Sequence, residues 1–162
     1  MTAPQNGYSK SQYIYVTYIK TTPEKLWAAL TSTGPRDYWF GMTCISDFKQ
    51  GSPWRLEFED GRVADTGEIL EAAPNRRLVI KWRNEFKPEL KAEGWTQCTM
   101  EIEPADGAVK LTVIHGADVE HAKVIEAVAG GWPKVLSNLK SLLETGSIAL
   151  ERNPQPATAA AN

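Results

Sequence analysis

The side chains best suited to moving a proton near neutral pH are two imidazoles, His115 and His121. Counting by twos from Val109 through Leu111 and Val113 brings His115 to the inward face at the end of a strand. An imidazole there can orient a ligand or exchange a proton, or it is simply a strand-end His bonded to backbone or solvent. His121 falls in the first turn of the next helix and reads as exposed. Cys44 and Cys98 have no close-spaced partner, so the sequence shows neither a disulfide framework nor a metal-ligand spacing. Both read as buried thiols, and no metal or cofactor is expected. There is no Gly-x-Ser-x-Gly elbow, His-Glu-x-x-His, P-loop or Rossmann glycine set, so no catalytic residue is assigned. Glu57 and Glu59 share one strand face, but nothing places them in a cleft of low dielectric. With Lys81 and Arg83 they read as solvated surface.

The aromatic residues carry more information. Trp39, Phe40, Trp54, Phe58, Trp82, Met100 and Trp132, with Val128 on the helix and His115 at one end, form an inward lining of the kind apolar pockets use. Any one of them is explained by ordinary core packing. Six Trp in one domain exceed what packing demands, and the set is therefore the candidate ligand site.

Elements that could position this lining follow from periodicity. Gln12 to Lys20 reads as a strand apolar on both faces, and Thr22-Pro23-Glu24 opens a helix whose buried stripe is Leu26, Trp27 and Leu30, stopped at Gly34-Pro35. Arg36 to Met42 is a helical turn or loop. Trp54, Leu56 and Phe58 alternate with charged residues, Asp60-Gly61 makes a two-residue hairpin, and Arg62 to Glu71 returns. Leu78, Ile80 and Trp82 mark the next strand, and Asn84 to Gly94 is a charged loop. Thr96, Cys98, Met100 and Ile102 then face inward on one strand, and Val109 to His115 on the next. From Ile125 to Leu143 the apolar period becomes helical, with Gly146 as C-cap and a kink or break expected at Pro133. At least six strands and two helices are expected: a flexible start over 1–10, one domain over 11–146, and a mostly disordered tail over 147–162.

Composition narrows the classes. The chain has 162 residues and a formal net charge of -2, with its cations scattered, so nucleic acid is not an expected partner. No stretch is long and apolar enough to cross a membrane, and the polar start lacks an apolar targeting core. The cytoplasm is the expected location.

The order strand, helix, meander, long C-terminal helix is the helix-grip order, and three strings resemble one branch of the START-like (SRPBCC) superfamily. These are Thr22-Pro23-Glu24-Lys25-Leu26-Trp27, Gly67-Glu68-Ile69-Leu70-Glu71 with Pro74, Leu78 and Trp82, and Gly131-Trp132 with Leu136, Leu139 and Leu143. The branch is that of homologues of the activator of the ninety-kilodalton heat-shock chaperone's ATPase. The resemblance implies an α+β helix-grip fold, a curved antiparallel sheet around the C-terminal helix, with a cavity between them that such proteins use for apolar small molecules. The leading expectation is non-enzymatic binding of an apolar or aromatic small molecule. A stress-response or chaperone-associated partner protein, and a cyclase-like or hydrolase-like enzyme using the same pocket, are the alternatives.

Overall fold

A computed structural model describes residues 8–151. Eight antiparallel strands form one sheet: β1 (Ser11–Ile19), β2 (Gly34–Arg36), β3 (Met42–Ser46), β4 (Pro53–Glu57), β5 (Val63–Ala73), β6 (Arg77–Asn84), β7 (Thr96–Ala105) and β8 (Ala108–Ala117), in the order β1-β8-β7-β6-β5-β4-β3-β2. Helices α1 (Pro23–Leu30), α2 (Pro88–Lys91) and α3 (Lys123–Thr145) complete the fold. This is the helix-grip α+β architecture, with α3 against the concave face of the sheet.

The local chemistry explains most elements. Thr22 Oγ1 accepts from Lys25 N at 3.1 Å and Pro23 opens α1, where its missing N–H costs nothing. Strands β7 and β8 pair without a slip from Thr96↔Ala117 to Ala105↔Ala108, so alternation holds and Cys98, Met100, Ile102, Val109, Leu111, Val113 and His115 are all buried. Gly67 sits where β5 and β6 approach so closely that a Cβ would meet the Lys81 carbonyl oxygen at 1.6 Å. No other residue fits there.

Several expectations are corrected. Strands β2 and β3 are additional, because three and five residues are too few to show a period. Asp60-Gly61 belongs to a longer connection in which Phe58 N donates to Arg62 O and Gly61 N to Phe58 O, after a bulge at Leu56/Glu57. The loop after Asn84 contains α2, begun by Pro88. Helix α3 runs unbroken through Pro133. His121 precedes α3 in a left-handed conformation (φ 53°) rather than opening it. The outer face of β1 is not covered: Ile14, Val16 and Tyr18 are exposed.

Residues 147–151 fold back along α3, where the buried Asn138 accepts from Ala149 N and Leu150 N and donates to Leu150 O. Residues 1–7 and 152–162, most of the expected flexible start and tail, lie outside the described residues. Among the described residues no helix is long and apolar enough to cross a membrane.

Candidate ligand site on the concave face

The period-two strands β4, β6 and β8 and one face of α3 aim Trp54, Trp82, His115 and Trp132 at one volume. Trp39 reaches it from a 3-10 turn (Asp37–Trp39) after β2. Their rings touch: Trp54 and Trp82 centroids are 4.5 Å apart, Trp39 and Trp132 5.3 Å, Trp82 and Trp132 5.8 Å, and Trp39 and Trp82 6.0 Å. The residues predicted to line a cavity here fill the space with their own rings. Phe58 turns instead to Phe86, edge to face at 5.0 Å. Met100 is buried in the same core, and Phe40 and Val128 pack half-buried at its margin. A cavity of about 550 Å³ lies elsewhere, across β3, β4 and β5, bordered by Thr43, Ile45, Arg55 and Thr66, which alternate with the buried Cys44 and Trp54. Of the predicted set only Trp54 borders it.

His115 is fully enclosed, and every polar atom of its ring is engaged. Trp132 Nε1 donates to His115 Nδ1 at 3.1 Å. An indole N–H can only donate, so Nδ1 is the bare nitrogen and the ring's proton is on Nε2. That nitrogen lies 2.9 Å from Thr96 Oγ1, which in turn donates to the Trp82 carbonyl at 2.9 Å. Burial pushes the imidazole down to about 3, so it stays neutral throughout the physiological range. His115 therefore holds Trp132 and β7 in place, with no lone pair left for a proton transfer.

Two charged groups near the cluster gave weaker signals in sequence. Asp65 is inward by the same alternation that buries Ile69. Burial raises its carboxyl to about 7, the neighbouring Glu85 charge adds to this, and a hydrogen bond from Trp82 opposes it. Arg36 is 4 % exposed and finds carbonyls instead of a carboxylate: it donates to Leu30 O and Ser32 O at 2.9 and 2.8 Å, at the negative end of α1. Its guanidinium also lies 5.8 Å from the Trp39 ring. With the Tyr38 hydroxyl donating to Ala29 O, it pins the turn that carries Trp39. On the outer face, Lys81 and Arg83 are not simply solvated but cover Trp95 at 4.8 and 4.4 Å. Glu57 pairs with Arg55. Cys44 and Cys98 are buried free thiols.

Residues 20–144 match the family model described as Activator of Hsp90 ATPase homolog 1-like protein. The chain belongs to this family. Several solved structures share the fold at low identity. The Aha1 dimer from Colwellia psychrerythraea has a TM-score of 0.69 at 19% identity, over 84% of this chain and 98% of that one. CalU16 from Micromonospora echinospora has 0.66 at 19%, over 83% and 77%. PFC0360w from Plasmodium falciparum, named as an HSP90 activator, has 0.64 at 21%, over 82% and 95%. No curated protein matches the sequence.

Proposed function

We propose that this protein binds an apolar or aromatic small molecule, without catalysis, at the aromatic cluster between sheet and α3. The supporting observation is the contrast within the cluster. Trp54, Trp82 and Trp132 are buried, whereas Trp39 is half-buried on a pinned turn and packs tilted against both Trp82 and Trp132. Trp39 is the plug: rotation of its side chain opens a slot walled by two indoles while Arg36 and Tyr38 hold the backbone. Affinity then comes from buried apolar area, at roughly 25 cal/mol per Å² before ordering costs, and depends weakly on salt. The full engagement of His115 favours binding over proton-transfer chemistry.

Titration with a neutral fluorescent naphthalene probe tests this. Wild type takes it up saturably, Trp39→Ala takes it up faster, and Trp82→Ala weakens it at least tenfold while keeping its circular dichroism. Absence of saturable uptake in both wild type and Trp39→Ala overturns the reading. A chaperone-associated role in the cytoplasm is the second reading, favoured by the family's description and by the name of the Plasmodium relative.

A further inference from the structure

The two ends of the sheet are built differently. β2 closes one end with three residues, one of them Pro35, the kind of short, proline-bearing strand that resists pairing with another chain. β1 forms the other end with nine residues, paired to β8 without a register slip from Ser11↔Ala117 to Ile19↔Val109. Between Ser11 and Ile19 it has no charge, no proline and no bulge, so the guards that a strand carries in its own sequence are missing, and α3 covers only the Tyr18 end. Its outward residues Ile14, Val16 and Tyr18 are 56%, 45% and 54% exposed. Ile114 and Thr112 of β8 stand in register beside Ile14 and Val16 and extend the uncharged surface.

Backbone direction shows which part of the edge is usable. Lys140 Nζ donates to Tyr18 O at 2.6 Å, and Glu144 accepts from Lys20 N at 2.8 Å, so these backbone groups turn away from β8 toward α3. In an antiparallel strand the N–H and C=O of one residue point to the same side, and alternate residues repeat it. Gln12, Ile14 and Val16 thus direct their backbone groups to the open edge, beyond which no strand lies among the described residues.

We propose that this edge is a self-association surface, on which β1 of a second copy pairs antiparallel across a two-fold axis centred near Ile14. The surface calls for an extended strand with alternating donors and acceptors and uncharged apolar side chains, and β1 is itself such a strand. Pairing over Gln12 to Val16 sets Ile14 beside the other copy's Ile14 and each Val16 beside the other's Gln12, and stops short of Tyr18, whose carbonyl is taken. Both open edges are consumed at once, so assembly closes at the dimer. Five paired residues bury less than the roughly 800 Å² per partner of a standard interface, so the dimer is concentration-dependent. This surface is separate from the concave face, and its test is independent of ligand binding.

Sedimentation of the full chain over a hundredfold concentration range tests it. Wild type shows a monomer–dimer equilibrium. Val16→Lys, whose side chain faces solvent in the monomer, weakens it at least tenfold without changing the melting temperature by more than a few degrees. Ile14→Glu does the same, and Ile45→Lys, exposed on β3 at the far end of the sheet, leaves it intact. A wild type monomeric at every concentration overturns the proposal, as does a dimer that survives both β1 substitutions.

Discussion

His115 and Asp65 lie on the same concave face, and Trp82 touches both: its ring is 5.0 Å from the imidazole, and its indole bonds the carboxylate. Their environments push them in opposite senses. His115 is neutral and fully hydrogen-bonded, and burial lowers it from 6.5 to about 3. Asp65 makes no ion pair among the described residues, and burial raises it from 3.8 to about 7. The difference shows that burial alone does not define a reactive site. Burial keeps one group neutral, with both ring nitrogens already hydrogen-bonded, while it moves the other's titration to near neutrality.

Linkage gives this contrast a sign. Between about 3 and 6.5 the unfolded chain protonates His115 and the folded chain does not, so that group's contribution to stability is lost as pH falls through this window. Between 3.8 and about 7 the folded chain protonates Asp65 and the unfolded chain does not, so its contribution is lost as pH rises. The two slopes oppose each other across most of this range. The contributions of these two groups therefore nearly cancel between about 3.8 and 6.5, and from there to about 7 only the Asp65 slope remains.

The largest expected effect comes from removing the indole that bonds His115. Trp132→Ala deletes a buried ring and leaves Nδ1 without its donor, and should cost about 3 to 5 kcal/mol. An unchanged denaturant midpoint would show that Trp132 does not anchor α3. Next is Asp65→Asn, which removes the titrating carboxyl. At about 1.4 kcal/mol for each tenfold difference in proton affinity between folded and unfolded chains, the variant should gain up to about 4 kcal/mol over wild type at pH 8 relative to pH 4. If urea denaturation shows the same gap at both pH values, Asp65 is solvated and the contrast disappears. His115→Gln exposes the other slope, so its stability should fall from pH 4 to pH 7 more steeply than that of wild type. A flat profile in this variant argues against the Asp65 assignment. Smallest is Gly131→Ala, beside Trp132, where a Cβ meets nothing within 4 Å. It should raise stability by about 0.4 to 1 kcal/mol and leave the Asp65 slope untouched. A drop in melting temperature would mean that α3 needs the freedom of Gly131.

Much of this was legible in the chain. The inward phase of His115 follows from a period of two held over Val109 to His115, because β8 pairs on both sides without a bulge. The α1 cap, the apolar face of α3 and the burial of Trp54, Trp82 and Trp132 are likewise local consequences of residue type and spacing. Asp65 was not read from the sequence: it shares the inward phase of Ile69, but a lone carboxylate in a strand signals nothing until its neighbours are known. The short strands β2 and β3 were not legible: β4 offers β3 a partner and β3 offers one to β2, and three to five residues carry no period.

The sequence by itself determined which residues point inward, since that depends only on backbone geometry repeated every two or 3.6 residues. Tertiary structure alone decided what they meet there. The partners of His115 come from β7 and α3, 19 and 17 residues away, and the ring of Trp39 arrives from a turn on the far side of the sheet. Whether such rings enclose a void or fill it depends on the curvature of eight strands and the seating of α3. No local pattern encodes that distance, so the chain that specifies an aromatic lining leaves its closure to the fold.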